Sequence, residues 1–252
     1  KLKGTIALFA ATAPLTAQNF LEPLVVTATR SGLGAEDVPY SLSLLDSVYP
    51  AGNPRSTLPD AHQSTPGVLV QKTAHGHGSP FIRGFSGRQN LLMVDGVRIN
   101  NSTFRSGPVQ YWNTIDALSI DRIELVRSQG SVLYGSDAIG GTVNAFTKSS
   151  DFRSRPNGQA YHNGSAYYEY RSNGQGSHIG RVEAEAGVGR KFGAWLGLSM
   201  KEFGDIKDSA VGLMRGTGYP EKDIDFRLDY AVTPDSTLAL DHQDGNQDNI
   251  AR

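Results

Sequence analysis

Two histidines separated by one glycine are the residues of this chain best suited to bind a metal. His75 and His77 lie in the segment Ala74-His75-Gly76-His77-Gly78. Imidazole is a common axial ligand of haem iron and also binds other borderline metals. On an extended strand the two rings would share a face, whereas in a glycine-rich loop they would splay apart. The alternative is a polar loop in which both histidines only make hydrogen bonds, because a flexible loop does not fix ligand geometry.

A second group combines aromatic rings with a cation. It consists of Phe104, Arg105, Tyr111 and Trp112. Such a set suits a flat or anionic ligand, because the rings stack and the guanidinium pairs with negative charge. The group therefore predicts a ligand contact.

Neither group forms an enzyme active site. His62, His75 and His77 lack a carboxylate or serine in a recognised catalytic motif, and residues 84–87 lack the lysine and strand-to-helix context of a phosphate loop. The 24 basic and 25 acidic residues leave a net charge of −1, which gives no general attraction to nucleic acid. Cysteine is absent, so disulfide and thiolate–metal frameworks are excluded. The sequence favours a binding protein.

The elements that position these residues are short between residues 31 and 150. Residues 91–100 predict a hairpin, because an Asp95-Gly96 step stands between alternating apolar residues. Residues 120–126 alternate apolar and charged side chains, as a half-buried strand does. Residues 56–64 and 113–118 predict brief helical turns. We expect an α+β domain with a mixed sheet and short helices.

From Asp151 onward the sequence alternates over longer segments. Residues 158–171, 178–190, 194–200, 224–232 and 238–240 predict about five strands. Several approach the 9–11 residues of a tilted membrane strand. Short connections at 190–193 and 233–236 alternate with longer ones at 172–177 and 205–221, as in outer-membrane barrels. A soluble antiparallel sandwich has similar periodicity and is the alternative.

The two ends of the chain carry further expectations. Residues 1–17 resemble an export signal, with Lys1 and Lys3 before a short apolar run and small residues at a cleavage site. Barrels that enclose a domain have about 22 strands, so five strands predict an incomplete barrel. We expect a C-terminally truncated chain whose N-terminal start is also missing.

Four motifs in order resemble the plug domain of TonB-dependent outer-membrane receptors. They are residues 24–30 (LVVTATR), 81–85 (FIRGF), 92–100 (LMVDGVRIN) and 120–148 (IDRIELVRSQGSVLYGSDAIGGTVNAFTK). The resemblance implies residues 18–30 as a TonB-box segment, 31–150 as the plug and 151–252 as the start of the β-barrel. It implies a receptor in the bacterial outer membrane, in contact with its lipid and with TonB.

The resemblance assigns roles to individual residues. The TonB box would comprise Leu24, Val25, Val26, Thr27, Ala28 and Thr29. This segment is β-prone and uncharged, so it can add as a strand to a partner's sheet edge; the alternative is an ordinary edge strand. Arg83 and Arg127 correspond to arginines that latch the plug to glutamates of the barrel wall, although both could simply be solvated. The family usually has glycine where Ser128 stands, so a turn with positive φ would be strained unless Gly130 forms it.

The resemblance also places ligand contacts on plug loops, here residues 73–80 and 101–112. His75, His77, Phe104, Arg105, Tyr111 and Trp112 are then the ligand-contact candidates, with His75 or His77 as a haem ligand. We expect no intrinsic cofactor and no resident metal. The transported ligand would be a scarce nutrient, most simply an iron complex such as a siderophore or haem. Cobalamin or a carbohydrate is the alternative within the family, and a soluble periplasmic binding module is the alternative outside it.

Overall fold

The computed structural model describes residues 24–45, 56–100, 111–172 and 174–250. The export signal expected at residues 1–17 lies outside these residues. The chain forms an N-terminal domain and a long antiparallel sheet, which we call the wall sheet. The N-terminal strands are β1 (Leu24–Val25), β2 (Leu33–Gly34), β3 (Leu42–Leu45), β4 (Val68–Ala74), β5 (His77–Ile82), β6 (Asn90–Val94), β7 (Val97–Arg98), β8 (Ile120–Val126) and β9 (Gly141–Thr147).

A mixed five-stranded sheet organises the N-terminal domain. Its order is β3-β8-β9-β6-β7, in which β6 and β9 run parallel and the other neighbours antiparallel. The predicted strand at 120–126 is confirmed as β8, which lies between β3 and β9. Buried apolar side chains from this sheet pack with Leu58 and Trp112 into one core. The α+β class with a mixed sheet is therefore confirmed.

The predicted hairpin at 91–100 is confirmed as β6 and β7. Both turn residues have positive φ, 48° at Asp95 and 78° at Gly96. Two left-handed residues make the kind of turn that matches the right-handed twist of the strands. Asp95 also fastens the turn, because its Oδ1 accepts a hydrogen bond from the Thr147 N–H at 3.1 Å.

Helical structure is brief. In the described part of the chain, the one α-helical turn, α1, is Ser131–Tyr134, and the 3-10 turns are Ala35–Asp37, Leu58–His62, Gly87–Gln89, Tyr111–Thr114 and Ala117–Ser119. Within the described residues, no helix has the length and apolar character needed to cross a membrane.

Two local expectations change. The turn predicted at 56–64 begins at Leu58, because Thr57 and Asp60 form a capping box. The expected strain after Arg127 does not arise. Ser128 is not among the residues with positive φ, and Gly130 has φ −81°.

The predicted long strands are confirmed in the wall sheet. Its order is β10-β11-β12-β15-β16, with a small hairpin of β13 and β14 outside it. The bounds are β10 (Ala160–Arg171), β11 (Ser177–Val188), β12 (Phe192–Phe203), β13 (Ile206–Asp208), β14 (Gly212–Met214), β15 (Tyr219–Thr233) and β16 (Ser236–Gln247). The short connections join the strands at one end of the sheet, and the longer connections at 172–176 and 204–218 join them at the opposite end.

The two faces of the wall sheet differ in polarity. Apolar side chains line the outer face in register: Val182 pairs with Leu198 and Leu198 with Ile224, and all three are exposed. The inner face, against the N-terminal domain, carries buried charges such as Arg181 and Lys201. A soluble sandwich would bury its apolar face, so this arrangement fits a wall in contact with lipid and not the sandwich alternative.

Candidate functional site

The segment expected to be a TonB box is folded against the N-terminal domain. β1 pairs with β2, and Val25 is fully buried beside Val38 and Val126. Beyond β1 the chain turns back on itself, since the Arg30 N–H donates to the Val26 carbonyl at 2.8 Å. The sequence predicts either a TonB box that can add to a partner's sheet edge or an ordinary edge strand. The short pairing of β1 with β2 agrees with an ordinary edge strand, and the role of residues 24–29 as a TonB box stays a prediction.

A buried carboxylate holds this segment. Glu124 Oε2 accepts hydrogen bonds from the N–H groups of Val26 at 3.1 Å and Thr27 at 2.8 Å. The Tyr134 hydroxyl donates to the Thr27 carbonyl at 2.9 Å. The Arg30 guanidinium lies 5.0 Å from the centre of the Tyr134 ring. The contacts link the segment to β8 and α1.

The two predicted latch arginines lie close to each other. Gly67 stands between them: its carbonyl accepts from the Arg83 N–H at 2.9 Å, and a Cβ on it would lie 3.5 Å from Arg127 Cδ. Arg127 donates to Ser43 Oγ at 2.6 Å, while Arg83 is exposed. Among the described residues neither guanidinium pairs with a carboxylate, so their role as a latch stays a prediction.

Most of the described ion pairs between domain and wall have the opposite sense, with the carboxylate on the domain and the cation on the wall. Asp116, on the N-terminal domain, contacts Lys201 Nζ at 2.6 Å and Arg181 Nη1 at 3.0 Å, both on the wall sheet. Lys201 also contacts Glu221 and lies 3.1 Å from Asp223. Three carboxylates therefore surround one ammonium, which supplies the positive charge that a metal would otherwise bring. The cluster connects the domain firmly to the inner face.

The charge of Asp116 is favoured in this setting. Burial alone would raise the pKa of its carboxyl, but Lys201 and Arg181 outweigh burial and hold the pKa below its usual value. The Leu118 N–H adds a hydrogen bond to Oδ1 at 2.8 Å.

Two smaller ion pairs also join domain and wall, the first of the same sense and the second with the cation on the domain. Arg227 of the wall lies 3.3 Å from Asp95, and Lys148 lies 2.6 Å from Glu183. None of these pairs was predicted from the sequence. Alternation offered a signal, since Lys201 occupies the inward parity opposite the apolar residues of β12.

The predicted loop at 73–80 is instead the tip of the β4–β5 hairpin, so the loop assignment is wrong. His75 lies in the turn and His77 begins β5. The His75 ring packs edge-on against Phe203 and Tyr219 of the wall, with centroids 5.4 and 5.7 Å away, and its Nε2 is 3.1 Å from Ser56 Oγ. Burial, with Lys72 nearby, lowers the pKa of His75. These contacts favour the alternative of a hydrogen-bonded histidine, and ligation of haem by either histidine stays a prediction.

The aromatic and cationic set is only partly described. Phe104 and Arg105 lie outside the described residues. Tyr111 is 48% exposed, whereas Trp112 is fully buried and stacks on His62 at 5.8 Å. Trp112 as a ligand contact is therefore wrong in this structure, because its ring belongs to the core.

Comparison with known proteins agrees with this architecture. Residues 35–142 match the family model described as the TonB-dependent Receptor Plug Domain. The vitamin B12 transporter BtuB of Vibrio vulnificus (strain CMCP6) is 37% identical over 132 residues, which are 52% of this chain and 21% of that protein. The hemin receptor of Yersinia pestis is 28% identical over 196 residues, 75% of this chain and 27% of that protein. The chain thus spans less than a third of the length of these two relatives.

Solved structures share the fold. The copper transporter OprC superposes with a TM-score of 0.67 at 18% identity, covering 82% of this chain and 30% of that structure. The siderophore receptor PirA from Acinetobacter baumannii gives a TM-score of 0.58 at 24% identity, covering 82% of this chain and 31% of that structure. At such identities the likeness concerns the fold alone.

Proposed function

Because the chain belongs to the TonB-dependent receptors of the outer membrane, we propose that it imports a scarce nutrient and that TonB pulls on residues 24–29. The main support for this proposal is the way in which residues 24–29 are attached to the domain. They lie at one margin of the domain, fastened by a few contacts to β8 and α1. A partner strand that added to Leu24 and Val25 would replace the short pairing with β2.

We propose an iron complex, siderophore or haem, as the substrate. A relative named as a hemin receptor and a solved structure named as a siderophore receptor support this choice. The exposed Tyr111 ring is suited to a flat or aromatic ligand.

Cobalamin is the second candidate, supported by the 37% identity to a vitamin B12 transporter. A carbohydrate has no such relative among those compared above. Growth of a receptor-deficient host that carries this receptor, with a ferric siderophore, haemin or cobalamin as the limiting nutrient, distinguishes them. Growth on cobalamin alone would overturn the iron proposal.

Deletion of residues 24–29 tests the role of TonB. We expect uptake of the nutrient to fall to background while binding at the cell surface is unchanged. The deletion removes the segment that TonB engages and leaves the ligand-contact residues in place. The matched control replaces two exposed neighbours, Ser31→Ala with Glu36→Ala, and should leave both unchanged. Uptake that survives the deletion would contradict the proposal.

A further inference from the structure

Glu124 is unusual because its fully buried carboxylate accepts hydrogen bonds from the backbone of residues 26 and 27. It lies in the middle of β8, between Leu44 of β3 and Asn144 of β9, and its side chain has no exposed surface. The acceptor of both Val26 and Thr27 N–H groups is the same oxygen, Oε2. Hydrogen bonds to a charged acceptor are stronger than those between neutral groups. This carboxylate is therefore the strongest polar attachment of the segment.

The rest of the attachment is slight. β1 and β2 are two residues each. A cavity of about 310 Å³ lies beside Thr27, Ala28 and Thr29. The buried Thr27 hydroxyl has no hydrogen-bond partner among the described residues. Besides Glu124, the segment depends mainly on the burial of Val25 and on the Tyr134 hydroxyl.

Glu124 has a second partner that would still pair with its carboxylate if residues 24–30 detached from the domain. Arg122 Nε lies 3.4 Å from Glu124 Oε1, and the Arg122 side chain is 33% exposed. The Arg122 guanidinium also stacks 3.9 Å from the centre of the Phe146 ring, which keeps it beside the carboxylate. A buried carboxylate that lost every partner would be strongly unfavourable. With Arg122 in place, Glu124 keeps one cation when the segment leaves.

We propose that Glu124 is a positioning residue that holds residues 24–30 against the domain and sets how often they are available to a partner. The inference rests on the proposed function for its meaning, because availability matters only if TonB engages the segment. The exchange of backbone amides nevertheless tests Glu124 independently of uptake.

Hydrogen–deuterium exchange on the receptor in detergent micelles is the test. Loss of two charge-assisted bonds in Glu124→Ala should raise exchange of residues 24–30 by at least about tenfold. Glu124→Gln keeps the shape and an acceptor oxygen but loses the charge, so its increase should be smaller. Peptides from β6 and β9 should be unchanged. Glu36→Ala, which removes an exposed glutamate of the same domain, should match the wild type.

Two results would overturn the proposal. One is unchanged exchange of residues 24–30 in both Glu124 variants. The other is a uniform rise across β6, β8 and β9, which would make Glu124 a residue of general core stability. Failure of the proposed function would look different: exchange would respond to Glu124, yet deletion of residues 24–29 would not affect uptake.

Discussion

At the scale of single residues, Asp116 is a buried carboxylate of the N-terminal domain that the wall sheet neutralises. It is 5% exposed and meets two cations of the wall sheet. Removing one member of such a buried cluster leaves uncompensated charge, which typically costs about 3–5 kcal/mol. Asp116→Asn should lower the free energy of unfolding by an amount in that range. Urea denaturation in detergent micelles, followed by fluorescence of the buried Trp112, measures it.

A control and a pH series make this prediction specific. Asp121→Asn changes an acid whose side chain is 61% exposed, and should alter stability by less than about 0.5 kcal/mol. Because the folded pKa of Asp116 is lowered, its stabilisation is complete above the ordinary carboxyl pKa of about 3.9 and is lost as pH falls through the folded value. The gap between wild type and Asp116→Asn should therefore persist at neutral pH and shrink in acid. A gap of the same size at pH 3 and pH 7, values chosen on either side of that pKa, would contradict it.

The Asp116 cluster also shows why these ion pairs could not be predicted from residue types alone. Asp116 and Lys201 are 85 positions apart, so no local pattern joins them. The histidine pair shows the reverse problem. His75 and His77 had a suggestive spacing, but the packing of His75 on Phe203 and Tyr219 depends on a distant strand.

At the scale of elements, the sequence predicted the turns and strands whose conformation depends on local residue types. The Asp95-Gly96 step predicted the β6–β7 turn, and alternation predicted all five strands of the wall sheet. The β4–β5 hairpin was missed because glycine and histidine at 75–78 resemble a loop. Its strands persist because the turn packs beneath the wall: a Cβ on Gly76 would lie 2.9 Å from the Tyr219 ring.

The β6–β7 turn gives a prediction that depends on conformation alone. Gly96 has φ +78°, and beyond its two chain neighbours no residue has an atom within 4 Å of the position that a Cβ would occupy. Gly96→Ala should therefore cost about 1–2 kcal/mol of unfolding free energy, the penalty for a side chain in the left-handed region. Gly96→Asn should cost less, since asparagine tolerates that region, and Gly96→Val should cost more. Equal costs for the three variants, measured by denaturation, would show that φ is not the cause.

At the scale of the whole molecule, the wall sheet separates two environments. Its inner face joins the N-terminal domain through Asp116, Lys201 and Arg181, and its outer face presents aliphatic side chains in register from strand to strand. The same alternation therefore specifies both the strands and the side that meets lipid. Buried ion pairs and the packing of Leu118 against the wall hold the domain on the inner face, and binary patterning specifies neither.

The outer face of the wall sheet gives a prediction about how the whole receptor folds into a membrane. Leu198 lies midway along β12, is 41% exposed, and stands between Val182 and Ile224. An arginine there would meet hydrocarbon, at a cost of about 2–4 kcal/mol near the bilayer midplane. Leu198→Arg should make the free energy of folding into lipid vesicles less favourable by that amount and reduce the amount of folded receptor in the outer membrane. Val211→Arg makes the same chemical change in the connection between β13 and β14, where Val211 is 77% exposed, and should be neutral. If both variants fold equally well in vesicles, the outer face of the wall sheet does not face lipid.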